Sequence, residues 1–201
     1  MVDSAIIGKN KRVGVPPAVI MINPKYDYNV GGAQRACSCW GIHQLWWTGN
    51  RVRFEAKSTG KNGKKRLPRE ERMKGYKDVE LFQFDYPFDQ FEGVTTVAIE
   101  LVPGAEPLPI FEHPEKAVYV FGPEDGSIDA TMRKHCHRFV SIPAYHCTNL
   151  SMAVGLILYD RFAKSHMDAR LDDMLRERRY QFADHREIAE ELGIVSQGAP
   201  V

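Results

Sequence analysis

Short apolar runs that alternate with stretches of helical period constrain this chain more than any other feature. Residues 18–22 (AVIMI) form an apolar run that closes on Asn23 and Pro24, the pattern of a buried strand stopped by a turn. Across residues 30–40, Ala33, Ala36, Cys37 and Trp40 recur at the spacing of one helix face, and Gly41 follows as a stop. Residues 44–48 (QLWWT) read as a second strand, ended by Gly49 and Asn50. Strand, helix and strand within about thirty residues is the length of a parallel βαβ unit, because parallel neighbours need a crossover connection.

The alternation continues. Residues 94–99 (VTTVAI), 117–121 (AVYVF) and 138–142 read as strands, with the turn-rich PGAEPLP between the first two. Asp129 is placed to cap a helix running to about His135, and residues 150–164 form a strongly apolar helix. Residues 165–201 read as a helical C-terminal extension with amphipathic stretches at 168–180 and 184–192. The expected architecture is α/β: a mostly parallel sheet with flanking helices over residues 1–164, followed by the extra C-terminal helices. A chain of 201 residues can bury one full core of this kind but not two large ones.

Charge is unevenly distributed. The whole chain carries +1, yet residues 51–77 hold eleven lysines and arginines against three glutamates, a net +8, which leaves −7 for the remainder. The centre of this window, STGKNGKKR, has no hydrophobic period and reads as a basic loop. A solvated loop and a contact surface for a polyanion both fit that composition. The first twelve residues lack the apolar stretch of a signal peptide. The longest apolar run, residues 150–159, is about half of the roughly twenty residues a membrane helix needs. A cytoplasmic protein without a membrane partner is expected. The four cysteines, Cys37, Cys39, Cys136 and Cys147, fit neither a disulfide scaffold nor paired metal knuckles, so no metal is expected at them or at His135, His137 and His146.

No GxGxxG follows the first strand, and no GxxxxGK[ST] or GxSxG occurs. Dinucleotide, P-loop and nucleophile-elbow sites are therefore excluded. Three segments put polar residues or glycines where strands end: Asn29 to Arg35 (NVGGAQR), Phe121 to Gly126 (FGPEDG), and Ile142-Pro143 followed by Asn149-Leu150-Ser151. Ligands of open α/β sheets bind outside the carboxyl ends of strands, so all three are placed for a site. Each also has a plainer reading: a helix start with a solvent-facing arginine, an ordinary turn, and a helix cap.

In this order and separation the segments resemble the three motifs of the TrmH-like SPOUT RNA methyltransferases. Asn29, Gly31, Arg35 and Ala36 match the first motif, and Phe121, Gly122 and Glu124 match the second. Ile142, Pro143, Asn149, Ser151, Ala153, Leu158 and Tyr159 match the third, with Asp160 in place of a glutamate. The resemblance covers residues 18–164. The chain departs from the pattern in a shorter loop between Pro143 and Asn149, in Cys147 and Thr148 where the family has serine and leucine, and in Gly126, one place early.

The resemblance implies a sheet whose C-terminal part is threaded into a deep trefoil knot, a topology that general rules would exclude. It implies S-adenosylmethionine (AdoMet) as cofactor, bound by loops that here contain Leu101, Gly122, Ile142, Thr148 and Leu150. It also implies Arg35, Glu124 and Asn149 as catalytic residues, RNA contacts at Asn29 and Arg35, and a homodimer with Arg35 of one subunit near the cofactor of the other. Beside such a site, Lys61, Lys64, Lys65 and Arg66 of the basic loop become candidate RNA contacts. Tyr76, Phe82, Phe84, Tyr86, Phe88 and Phe91 become candidate stacking residues, although strand and core roles suit most of them.

The expected activity is methyl transfer from AdoMet to a ribose 2′-hydroxyl of RNA. tRNA is favoured over rRNA because the catalytic pattern starts by residue 18, and DNA is not expected. A base-methylating enzyme of the same class and a catalytically silent RNA-binding module are the alternatives. The apolar helix at 150–164 is hydrophobic almost all round, which predicts a partner for the face its own domain leaves open.

Overall fold

The computed structural model describes residues 12–52 and 78–165. Lys61, Lys64, Lys65, Arg66, Tyr76 and the stretches at 168–180 and 184–192 lie outside them. The chain divides into two units, Met1–Phe162 and Ala163–Val201. The first carries the sheet, and of the second only residues 163–165 are described.

Seven strands form one parallel sheet: β1 (Ala18–Met21), β2 (Gln44–Trp47), β3 (Glu80–Gln83), β4 (Thr95–Ile99), β5 (Glu106–Pro107), β6 (Ala117–Phe121) and β7 (Arg138–Ser141). Their order is β3-β2-β1-β6-β4-β7-β5. Among the described residues three α-helices accompany them: α1 (Asp27–Cys39), α2 (Ala130–Arg133) and α3 (Leu150–Lys164). β1 and β6 lie side by side at the centre, with Ala18 opposite Val118 and Met21 opposite Phe121.

The apolar runs are continuous because parallel strands are covered on both faces. Alternate residues divide between two clusters. Val19, Met21, Leu45, Trp47, Tyr119 and Phe121 pack with Val30, Ala33 and Cys37 of α1 and with Val154, Ile157 and Leu158 of α3. Ala18, Ile20, Trp46, Val118 and Val120 face the other way, where Phe82, Phe88, Phe91 and Ile128 cover them.

α1 starts three residues before the expected position, at Asp27, whose carboxylate sits in the first turn where the helix dipole favours it. It ends where expected. Gly41 has φ +71, and the Ile42 N–H donates to the Cys37 carbonyl at 2.9 Å, the six-to-one bond of a glycine-terminated helix. The Asp129 cap is also present: its Oδ1 accepts from the Thr131 and Met132 N–H groups at 2.8 and 3.1 Å. That helix is shorter than expected, ending at Arg133.

Two strands escaped the sequence reading. β3 lies within the aromatic stretch, where strand and core roles suited most of the rings better than base stacking, and the structure gives Phe82, Phe88 and Phe91 those roles. Phe82, Phe88 and Phe91 are buried, and Trp46 stacks on Phe82 at 4.1 Å while also meeting Phe84 and Phe91 at 5.3 Å. These rings fill the core because β3 pairs beside β2 and must cover Trp46. β5 hides in the proline-rich connection. It has two residues at the sheet edge, where a proline without an N–H is tolerated. Arg138 of β7 anchors it with a two-pronged bond to Glu106 at 2.9 and 2.7 Å, and this pairing lowers the Glu106 carboxyl below its ordinary range.

Candidate functional site

Because the sheet is parallel, β4, β6 and β7 deliver their carboxyl ends to one side, and the loops that follow them enclose a cavity of about 500 Å³. Its wall contains Leu101, Gly122, Ile142, Thr148 and Leu150, the five residues singled out for the cofactor, together with Glu124. The volume lies within the range of small-molecule sites, about 300–1,000 Å³.

The three motif segments meet at one corner of this cavity. The Glu124 carboxylate accepts from the Lys25 N–H at 2.7 Å, the Tyr26 N–H at 3.4 Å and the Asn29 side-chain amide at 2.5 Å. The Asn29 side-chain carbonyl in turn accepts from the Asn149 amide at 2.9 Å. Asn149 Oδ1 then caps α3, accepting from the Ser151 N–H at 2.9 Å, the Ser151 hydroxyl at 2.7 Å and the Met152 N–H at 3.3 Å. The plain reading of Asn149 as a helix cap is therefore correct and incomplete, since the same side chain also holds Asn29. Helix to helix, the approach is close: a Cβ on Gly32 would fall 2.7 Å from the Ser151 Cβ and Oγ.

Asn29 does not stand where an RNA contact was expected. It is 0% exposed, and both ends of its amide are engaged by Glu124 and Asn149. The correction has a simple cause: Asn29 falls on the inward face of α1 beside Val30 and Ala33, so its polar group needs internal partners. Arg35 lies on the exposed face of the same helix, outside the cavity wall, with no hydrogen bond or ion pair to the described residues. The fold thus joins Glu124 and Asn149 through Asn29 and leaves Arg35 apart.

Sequence reasoning passed over Glu100, the first residue after β4. It lies in the cavity wall, and its carboxylate accepts from the Ile128 N–H at 2.9 Å, tying the loop after β4 to the loop after β6. An acid directly after the apolar VTTVAI run was a legible signal. At the mouth, Arg51 makes a two-pronged bond to Asp125 at 2.9 and 2.7 Å, and Lys25 adds a contact at 3.4 Å. The Arg51 pairing holds the Asp125 carboxyl down to about 2. Asp160, at the end of the third motif, bonds to His113 at 2.8 Å, and His113 bonds to the Tyr119 hydroxyl at 2.7 Å, which fixes α3 against β6. Burial pushes the Tyr119 phenol up to about 12.

Among the described residues, no three His, Cys, Asp or Glu side chains converge as a metal site, and no helix is long and apolar enough to cross a membrane.

Comparison with known proteins agrees with this geometry. No curated protein matches the sequence, but solved structures share the fold. The SpoU methyltransferase AviRb from Streptomyces viridochromogenes, in complex with AdoMet, superposes with a TM-score of 0.59 at 17% identity over 73% of this chain and 59% of its own. The chain thus spans about three-fifths of that relative. The A. aeolicus TrmH/SpoU tRNA modifying enzyme gives 0.59 at 20% identity, over 83% of this chain and 88% of its own. A structure addressing 2-OH methylation of C/U34 on tRNA gives 0.59 at 19% identity, over 73% and 94%. A family model described as the SpoU rRNA Methylase family matches residues 16–159, which span all three motif segments and the cavity they enclose. This chain belongs to the SpoU rRNA Methylase family.

Proposed function

We propose that this protein is an AdoMet-dependent RNA methyltransferase of the cytoplasm that transfers a methyl group to a ribose 2′-hydroxyl, of tRNA in preference to rRNA. The observation that carries the reading is the chain of bonds from Asn149 through Asn29 to Glu124, which locks three distant motif segments at the rim of one cavity. The tRNA preference draws support from the two tRNA-related structures, most of whose length this chain matches.

The cavity suits AdoMet chemically. Leu101, Ile142 and Leu150 offer apolar surface for an adenine, the loops offer backbone donors and acceptors, and Glu100 and Glu124 supply negative charge toward a cationic ligand. When bound, AdoMet supplies an electrophilic methyl group on a sulfonium. The chain must then hold a ribose oxygen in line with that methyl and compensate the charge that grows on the oxygen. Arg35 is the residue for this. A guanidinium is a poor base, so Arg35 is assigned to the neighbouring phosphate and to the charge developing on the oxygen, while the hydroxyl proton passes to water. Glu124 and Asn149 position the loops.

Arg35 lies outside the cavity wall of its own chain, so a second copy is proposed to bring it to the site. Met152, Leu156 and Tyr159 form an exposed apolar stripe on α3, at 57%, 38% and 52% exposure, and supply the surface for a homodimer. The trefoil threading belongs to the same proposal, as do RNA contacts at Lys61, Lys64, Lys65 and Arg66.

The deciding experiment is incubation with labelled AdoMet and total RNA, followed by mapping of alkali-resistant dinucleotides. Label in such dinucleotides of the tRNA fraction is expected; label found only on bases overturns the 2′-O assignment. Calorimetry with S-adenosylhomocysteine separates the enzyme from a silent RNA-binding module, which would not take up the ligand.

A further inference from the structure

Tyr26 and Tyr28 flank the start of α1 and carry rings stacked on each other, with centroids 5.0 Å apart and planes 13° from parallel. Both remain open to solvent, Tyr26 at 40% and Tyr28 at 46%. No catalytic, cofactor or RNA role assigned above uses either ring. Apolar rings at a domain surface are ordinarily covered or scattered singly, so a stacked, open pair next to the Glu124 corner of the cavity calls for an occupant.

The backbone that carries the pair is tied down. The Lys25 and Tyr26 N–H groups both bind the Glu124 carboxylate, and the Tyr28 N–H binds Asp27 Oδ1 at 2.8 Å. The side chain that binds the Tyr26 backbone is therefore itself part of the cavity wall. The Lys25 ammonium lies over the Tyr26 ring, 5.4 Å from its centroid, while Tyr28 stacks on that ring. This leaves the outer face of Tyr28, the more exposed ring, as the surface available to a visitor.

Helical geometry relates that surface to Arg35. Residues seven apart return to nearly the same face of an α-helix after about 10 Å of rise. Tyr28 and Arg35 thus share a face of α1, with Gly31, which is buried, and Gly32, which packs on Ser151, between them.

We propose that the Tyr26–Tyr28 stack is a platform for an unpaired nucleobase of the RNA substrate, on the helix face that also carries Arg35. The inference rests on the RNA methyltransferase reading and adds to it the residue that positions the substrate base. Single-stranded bases are held by rigid aromatic faces whatever their sequence, because every base presents a π-face.

The test compares full-length wild type with Tyr28→Ala, Tyr28→Trp and Tyr28→Phe. Binding of a labelled single-stranded oligouridylate and of a blunt RNA duplex is measured across a salt series, beside methylation of total RNA. Tyr28→Ala is expected to bind the single strand roughly five- to a hundredfold more weakly, the range for losing one stacked base. The slope of affinity against salt should not change, because no phosphate contact is removed. Duplex binding should also stay the same. Tyr28→Trp and Tyr28→Phe should restore both single-strand binding and methylation, since stacking needs the ring and not the hydroxyl. Binding of S-adenosylhomocysteine serves as the control for an intact fold. Wild-type single-strand affinity in Tyr28→Ala, or an equal loss in Tyr28→Trp, overturns the platform while leaving the methyltransferase reading in place. A wild type that methylates no RNA and binds no oligonucleotide overturns that reading and the platform together.

Discussion

The Asn149 amide donates to the Asn29 side-chain carbonyl at 2.9 Å across 120 residues of chain, and the opposite end of Asn29 reaches Glu124. One buried asparagine therefore connects the start of α1, the loop after β6 and the cap of α3. Removing Asn29 leaves Glu124 and Asn149 each short of a partner. Asn29→Ala is expected to cost roughly 1–3 kcal/mol, the penalty for unsatisfied polar groups. For a chain of this length that lowers Tm by several degrees. Thermal unfolding beside calorimetry with S-adenosylhomocysteine checks it, and an unchanged affinity would separate this network from the cavity.

Asn149→Asp separates the two tasks of that side chain. Aspartate caps helices as well as asparagine does, but it has no amide to offer Asn29. The helix should remain capped, the buried Asn29 carbonyl should lose its donor at a cost of about 1–3 kcal/mol, and methyl transfer should fall. A fully active Asn149→Asp would show that only the cap matters.

Gly32→Ala should destabilise the protein even though alanine is the better helix former by about 1 kcal/mol. The added Cβ would stand 2.7 Å from Ser151 and push α1 off the start of α3. Overpacking of this kind costs about 1–3 kcal/mol. A double-mutant cycle with Ser151→Gly should show a favourable coupling, read by urea unfolding. Additive effects would mean that the two helices do not meet as described.

Asp125 provides a pH signature. Arg51 holds its carboxyl down to about 2 from an ordinary 3.8. A depressed acid stabilises the fold above its unfolded pKa, and that contribution disappears as pH falls through the folded value. Wild type should therefore be more stable than Asp125→Asn at pH 5–7, and the two should converge between about pH 4 and pH 2. Urea midpoints across that range provide the measurement, and a constant gap would remove the Arg51 pairing from the account.

Replacing Lys61, Lys64, Lys65 and Arg66 together with alanine should weaken RNA binding and flatten its salt dependence, because released counterions drive such contacts. Arg35→Ala should leave most RNA affinity while abolishing most turnover, as expected of a group acting in the transition state. Salt-dependent binding beside single-turnover methylation distinguishes the two. A quadruple variant that binds with an unchanged slope would make the segment an ordinary solvated loop.

The homodimer is checked through α3. Wild type should scatter light as a dimer at micromolar concentration, and Leu156→Glu should halve the mass by placing a charge in the exposed apolar stripe. A monomeric wild type would leave Arg35 without a route to the cavity.

By itself the sequence determined the local elements whose signals are contiguous. The runs AVIMI, QLWWT and AVYVF became buried central strands because a parallel sheet needs apolar residues on both faces. Gly41 and Asp129 ended and started helices through backbone chemistry that no tertiary contact had to supply. The family resemblance that the motifs carry likewise implied the five residues that line the cavity wall. What lay beyond it were choices made by neighbours distant in the chain. β5 is a strand only because β7 pairs with it, and Phe82 is core only because β3 places it on Trp46. Asn29 looked like a surface recognition residue, yet only the tertiary structure could bury it, because its partners arrive from residues 124 and 149. A helix period places a side chain on a face; which face becomes interior depends on what the rest of the chain packs against it.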